Sequence, residues 1–343
     1  QAFVSSWDDM RIGVFEGSTG TVEITGGQLL SLSDLVVGHY GDGSVSQAAG
    51  QVTVVNSLCI GREAGGQGEY AISGGRLSAP WLDIGSGVPG TLSIGDASAY
   101  IEVQSELLLG PHAILTAVPG AKIHLSGSDF RNESSDSANL TGLSDLELIL
   151  EGGPYDLDHF EVAGEDMGPV AAGFVDNFTL GALRIGGDEI GRVQLVDWST
   201  NQPGSLSAEA LYVRSLILGN GSYLDLNGLN LYCFGFQDLG GTVDANGGQL
   251  VHVVVPGDAN ADGLVTDADY TIWADHYGQC GVTVSEGDFN GDGCVTDADY
   301  TIWADNYGHG VTGEVPEPMA VMALAVGSLM VSRRRRHRMT GSI

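Results

Sequence analysis

The sequence predicts a mainly β protein: a β-solenoid, parallel β-helix-like, with a small helical module and a single apolar helix behind it. Three observations carry that expectation. Glycine returns at nearly constant spacing through the first third of the chain, between short stretches that alternate apolar and polar residues. Near the end, "GDANADGLVTDADYTIWADHYG" from Gly257 is written again as "GDFNGDGCVTDADYTIWADNYG" from Gly287. After that comes an apolar run closed by a block of arginines.

The repeats come first. Aligned on glycine, "GTVEITGGQLLSLSDLVVG", "GSVSQAAGQVTVVNSLCIG", "GEYAISGGRLSAPWLDIG" and "GTLSIGDASAYIEVQSELLLG" end at Gly38, Gly61, Gly85 and Gly110, spaced 23, 24 and 25 residues. Each unit reads as an alternating strand, a Gly turn, a second strand, and an apolar strand ending in Gly. Period-2 alternation, as in Thr21-Val22-Glu23-Ile24, turns one face inward. A single unit of this size cannot bury that face, whereas stacked units can, which is the pattern of a solenoid. The repeats resemble the Gly-rich β-strand repeats of autotransporter passengers and related bacterial surface proteins over Gly17 to Gly127. That likeness implies a fold and a surface location, not a chemistry.

Residues 1–127 therefore form the repeat region. The polar stretch "SDFRNESSDS", from Ser128, reads as a loop, after which strand-like runs resume as far as "GQLVHVVV". Residues 128–255 are expected to continue or cap the solenoid, with a separate β-sandwich as the alternative. The Asn-Gly pairs in "LILGNGSYLDLNGLNLYCF" suit tight strand reversals.

Charge narrows the functions open to this chain. It carries 44 acids against 13 bases, a formal net charge of −31, and Lys122 is its one lysine. Five of the bases (Arg333, Arg334, Arg335, Arg336 and Arg338) fall in the last 11 residues. Such a surface repels phosphate backbones and suits divalent cations or an extracellular setting. Cys59, Cys233, Cys280 and Cys294 form no CxxC pair, which argues against zinc. Cys59 reads as a small buried hydrophobe, while Cys280 and Cys294 bracket the start of the second copy and are candidates for a disulfide. The chain opens at Gln1, which we read as lacking its native beginning, signal peptide included.

One cluster looks catalytic: Asp156, Asp158, His159 and Glu161 in "YDLDHFEV". Paired carboxylates perform acid/base glycoside chemistry when held at suitable separation. Leu157 and Phe160 need the core, however, so Asp156 and Asp158 are expected at a solvated strand edge. The stretch also resembles a "YDxLxV" segment of bacterial β-repeat proteins, where it is structural. No GxSxG, HExxH or phosphate-cradling motif occurs, and no catalytic residue is assigned.

The doubled stretch has the spacing of a calcium loop. Counting from its first Asp, the first copy offers Asp258, Asn260, Asp262, Leu264, Thr266 and Asp269 at positions 1, 3, 5, 7, 9 and 12. The second offers Asp288, Asn290, Asp292, Cys294, Thr296 and Asp299. Gly263 and Gly293 at position 6 permit the sharp turn, and position 7 contributes its backbone carbonyl, so Leu264 and Cys294 serve despite their side chains. Six or seven hard oxygen donors in a flexible loop select Ca2+ over Zn2+, and the expected cofactor is two calcium ions. Tyr270, Trp273 and Tyr277 fall on one helical stripe, which Gly278 ends.

A loop followed by a helix, duplicated with no helix before it, resembles a type I dockerin, an EF-hand-like pair, over Gly257 to about Gly308. Asp at position 12 matches that family, where an ordinary EF-hand has Glu. The resemblance bounds a module at residues 256–310. It implies calcium-dependent docking onto a cohesin-like partner, with recognition positions 10 and 11 at Asp267, Ala268, Asp297 and Ala298. Those residues differ from the Ser/Thr pairs common in cellulosomal dockerins.

Residues 311–343 read as an address. "VPEP" precedes the 13-residue apolar run Met319 to Val331 and then "SRRRRHR". That run is shorter than the roughly 20 residues that span a bilayer unaided, and the arginines would stay on the cytoplasmic side. Pro316, Glu317 and Pro318 with Arg333, Arg334, Arg335 and Arg336 resemble the PEP-CTERM sorting signal of Gram-negative bacteria that make exopolysaccharide. The resemblance implies transient insertion of the tail in the inner membrane, cleavage by an exosortase and delivery outside the cell. The expected protein is an exported, non-enzymatic surface or matrix scaffold. A polysaccharide-degrading enzyme and a carbohydrate-binding adhesin are the alternatives.

Overall fold

Three of the glycines aligned in the sequence donate to the residue before the previous glycine in the series. In the computed structural model, which describes residues 3–62, 65–205 and 207–308, the amides of Gly61, Gly85 and Gly110 donate to the carbonyls of Val37, Ile60 and Ile84 at 2.9, 2.8 and 2.8 Å. Each repeat is thus one coil of a parallel β-solenoid of about ten turns. Glycine is required at these corners. At Gly61 (φ +70°) a Cβ would lie 2.5 Å from the Pro89 carbonyl oxygen.

Within an early coil the strand Thr19–Ser31 bends where its register against Asp42–Val54 shifts, at Thr25 to Gln28. A short apolar strand, Leu35–Val37, follows. This gives the three strand segments that the sequence predicts. In-register parallel pairing then puts equivalent residues in columns. Leu35, Leu58, Leu82, Leu107, Phe130, Phe160 and Leu195 stand opposite one another from coil to coil, all buried. The rings of Phe130 and Phe160 stack at 4.6 Å. Each coil buries its inner residues only against its neighbours, as a one-dimensional repeat must.

The ladders run on past residue 128 without changing direction. Leu146–Glu151, Leu180–Ile185, Glu209–Leu218, Asn230–Asp238 and Gln249–His252 pair in parallel along one face. Asp129–Asn132, Asp158–Glu161, Arg192–Val196, Tyr223–Asp225 and Thr242–Asp244 do so along another. The second region therefore continues the solenoid and is not a sandwich. The Asn-Gly pairs at Asn220 and Asn227 turn coil corners rather than hairpins, since Tyr223–Asp225 has parallel partners on both sides. The expected loop from Ser128 contains the strand Asp129–Asn132, because Phe130 fills the next place in the apolar column.

Two excursions leave the coils. Residues 162–179 and 197–205 lie against the solenoid flank, where Gly164–Glu165 pairs antiparallel with Glu209–Ala210. They help build a second core of Phe174, Ala210, Tyr212, Tyr232, Phe234, Val253 and Val255, into which Val265 inserts with Leu264 and Trp303 packed against it. That core seats the C-terminal module, whose helices are α1 (Asp267–His276) and α2 (Asp297–Asn306).

Candidate metal-binding loops

Each loop folds by turning its acids onto its own backbone. In the first, Asp258 Oδ2 accepts from Gly263 N at 2.8 Å and Asp262 Oδ1 from Leu264 N at 2.8 Å. Asp269 Oδ1 accepts from Ala259 N and Asn260 N at 2.9 and 3.2 Å, and its Oδ2 from Thr266 N at 2.8 Å. The second repeats the scheme. Asp288 Oδ2 meets Gly293 N at 2.8 Å, Asp292 Oδ1 meets Cys294 N at 2.9 Å, and Asp299 accepts from Asn290 N and Thr296 N at 3.0 and 2.8 Å. Thr266 and Thr296 are also the helix N-caps, in capping boxes with Asp269 and Asp299. Positions 9 and 12 therefore set the helix start, position 9 as the cap and position 12 in the first turn.

The halves close on each other. Trp273 Nε1 donates to the Thr296 carbonyl at 3.0 Å, and Trp303 Nε1 to that of Thr266 at 2.9 Å. Gly278 N reaches Val295 O and Gly308 N reaches Val265 O, both at 2.9 Å. Tyr277 Oη donates to Asp297 at 2.8 Å and Tyr307 Oη to Asp267 at 3.1 Å. The expected docking positions Asp267, Ala268, Asp297 and Ala298 are exposed at the two helix N-termini. Two of them, Asp267 and Asp297, also clamp the partner half, a role that spacing within one copy does not disclose.

The donor chemistry fits a hard cation. Asp258, Asp269, Asp288 and Asp299 are 6%, 0%, 3% and 0% exposed, and none takes part in a salt bridge among the described residues. Burial pushes the Asp258 carboxyl up to about 6, partly offset by the hydrogen bond from Gly263 and reinforced by Asp262 and Asp269. Buried carboxylates without a basic neighbour are neutralised either by a proton or by a bound cation. Among the described residues no group of three or more His, Cys, Asp or Glu side chains gathers as a metal cluster. A loop site of this class also draws on Asn and Thr oxygens and a carbonyl.

The copies differ in their surroundings. The first leans on the solenoid: Arg214 donates to the Asp262 carbonyl at 3.3 Å, and a Cβ on Gly263 would meet the Phe234 ring at 2.2 Å. The second has instead a disulfide, Cys280–Cys294 at 2.06 Å, across an antiparallel bridge. Cys59 and Cys233 are free and buried.

The other candidate cluster is split by its strand. Asp158 is not at a wet edge: it shares the inward parity of Phe160, is 5% exposed, and burial with nearby Asp129 and Asp156 pushes it up to about 7. Leu157 is exposed in its place. His159 points outward, its Nδ1 3.2 Å from Asp129 and its ring 5.0 Å from that of Trp198. Glu161 is buried under the 197–202 loop, accepting from the amides of Trp198 and Ser199. Trp198 gave no signal in the sequence, because only the fold brings it over this strand.

Pro316, Glu317, Pro318 and Arg333 to Arg336 lie outside the described residues, and within those residues no helix is long and apolar enough to cross a membrane. Comparison with protein-family models, with curated proteins and with solved structures finds no match for this chain.

Proposed function

We propose that this chain is an exported, non-enzymatic scaffold whose C-terminal module folds around two calcium ions and docks a protein partner of the cohesin class. The supporting observation is the reciprocal closure of the halves, in which the Trp and the second Tyr of each copy (Trp273 and Tyr277, Trp303 and Tyr307) seal the loop or helix start of the other. Calcium would neutralise the carboxylates at positions 1, 5 and 12, fix both loops, and thereby set both helices at their capped starts. Two near-equivalent helix N-termini then face the partner. The solenoid acts as the stalk, and the tail serves delivery to the cell surface through an exosortase.

Calcium titration of the full chain after chelation tests this reading, followed by far-UV circular dichroism and Trp fluorescence. Helix signal should return with the ion, each site contributing about 4 kcal/mol at a thousandfold excess over its Kd. Asp269→Asn combined with Asp299→Asn should abolish the response. Spectra that are the same with and without calcium would remove the proposal.

A further inference from the structure

We infer that the solenoid face carrying Trp81 and Trp198 binds a neutral polysaccharide laid along the coil axis. In-register pairing sets Trp81 opposite Glu106, Glu106 opposite Asp129, and His159 opposite Gln194. Asp129 and His159 are brought level by the pairing of their neighbours Phe130 and Phe160. Each of these residues precedes a member of the buried apolar column, so their side chains form one outward row with rungs about 4.8 Å apart. Both indoles are open to solvent, Trp81 at 44% and Trp198 at 53%. Trp198 joins the row from the 197–202 loop, its ring 5.0 Å from that of His159. Counted along the ladder, His159 is three rungs from Trp81, about 14 Å.

The Trp198 platform is fixed in advance. Glu161 Oε1 accepts from Trp198 N and Ser199 N at 2.8 and 2.7 Å, and Glu209 Oε1 from Asn201 N and Gln202 N at 2.8 and 3.1 Å. Asn201 Nδ2 ties the same loop to the carbonyls of Asn132 and Ser134, both at 2.8 Å. A ring held this way loses little freedom when a ligand settles on it. Beside it, Asp129 Oδ1 accepts from His159 N at 2.7 Å and lies 3.2 Å from its Nδ1, which orients the imidazole. Both of those side chains are 32% exposed.

The arrangement selects its ligand. Two half-exposed indoles offer on the order of 200 Å2 of apolar surface, against about 800 Å2 per partner in a stable protein interface, and polar side chains separate them. A sugar ring needs only one indole. Its C–H face carries partial positive charge and packs on the negative π face, while its hydroxyls exchange hydrogen bonds with Glu106, Asp129, His159 and Gln194. A polymer of such rings repeats C–H faces and hydroxyls along a line, as the row repeats indoles and polar groups. Charge decides against an acidic polymer. Arg131, beside the row, is engaged by Glu106 at 3.8 Å and by Glu133, and Asp129 and the exposed Asp197 leave the face acidic.

Native affinity electrophoresis of the full chain tests the inference, in gels containing hydroxyethylcellulose or galactomannan, with polygalacturonate as the anionic control. A neutral polymer should retard the parent and polygalacturonate should not, in chelator as well as in calcium. Trp198→Ala and Trp81→Ala should each weaken binding about tenfold, the loss of one stacked ring. The double variant should lose about a hundredfold, because the two rings are too far apart to couple. Trp198→Tyr keeps a flat ring and should restore most of the affinity. Phe15→Ala removes an exposed ring outside the row and should change nothing. No retardation by either neutral polymer, preference for polygalacturonate, or parental binding by the double Trp variant overturns the inference. Binding that vanishes in chelator places the site on the C-terminal module and overturns it as well. Failure of the calcium reading shows separately, as helix signal indifferent to the ion while the solenoid still binds the polymer.

Discussion

The solenoid and the C-terminal module solve the same stability problem by opposite means. In the solenoid, columns such as Leu35, Leu58, Leu82 and Leu107 bury apolar side chains coil upon coil. In the module, the fully buried residues include Asp269 and Asp299 beside Val265 and Val295, and the helices present Tyr270, Tyr277, Tyr300 and Tyr307 to solvent. One region is held by area removed from water, the other by carboxylates hydrogen-bonded to the loop backbone. Stability that depends on an ion can be switched by that ion, and a stack of leucines cannot be switched this way.

The largest break in this contrast should come from Leu82→Ala. Truncating a fully buried Leu in the middle of a column should cost about 3 kcal/mol, read as a lower urea midpoint for the strand signal. The calcium-induced helix signal should stay unchanged; its loss would mean that the two regions fold as one unit. A finer test makes one substitution in both loops. Gly263→Ala drives a methyl into Phe234, whereas Gly293→Ala meets nothing within 4 Å. Both positions have positive φ, +85° and +88°, so each should lose about 1 kcal/mol from strain. Only Gly263→Ala should lose about 2 kcal/mol more, by unseating the module from the second core. Equal thermal shifts for the pair would show that the first loop does not lean on the solenoid.

An effect of opposite sign is expected at Asp158. Its folded-state value of about 7 stands above the ordinary 3.8, so the folded chain holds this proton after the unfolded chain has released it. Stability should then decline as pH rises from about 4 to 7 and level off above that. Asp158→Asn should reduce this slope, which Glu161 and Glu209, raised to about 7 by burial, share, and raise stability at pH 8 by about 2 kcal/mol, as measured by denaturant melts across pH. A variant with the slope of the parent would place the charge penalty elsewhere.

Much of this was written locally. The glycine spacing fixed the coil length, because a backbone approach at Gly61 admits no Cβ. The loop acids, the capping threonines and the helix ends at Tyr277 and Gly278 follow from neighbours within a dozen residues. Other features depended on partners far along the chain. Asp158 was expected in solvent, since Leu157 and Phe160 both read as core residues. The strand's alternation instead pairs Asp158 with Phe160, and coil stacking closes over it. The Asn-Gly corners read as hairpins because turn chemistry alone does not say which coil the next strand will join.

The sequence by itself determined the repeat, the doubled loops and the apolar columns, because short-range spacing fixes which side of a strand or helix a residue occupies. Only the tertiary structure decided that Trp273 seals the Thr296 loop and that Glu161 and Glu209 both hold the amides of the 197–202 loop. It also decided that one acidic loop rests on Phe234 while its twin is held by a disulfide. Those outcomes depend on contacts between segments tens of residues apart, where chain spacing carries no information about distance in space.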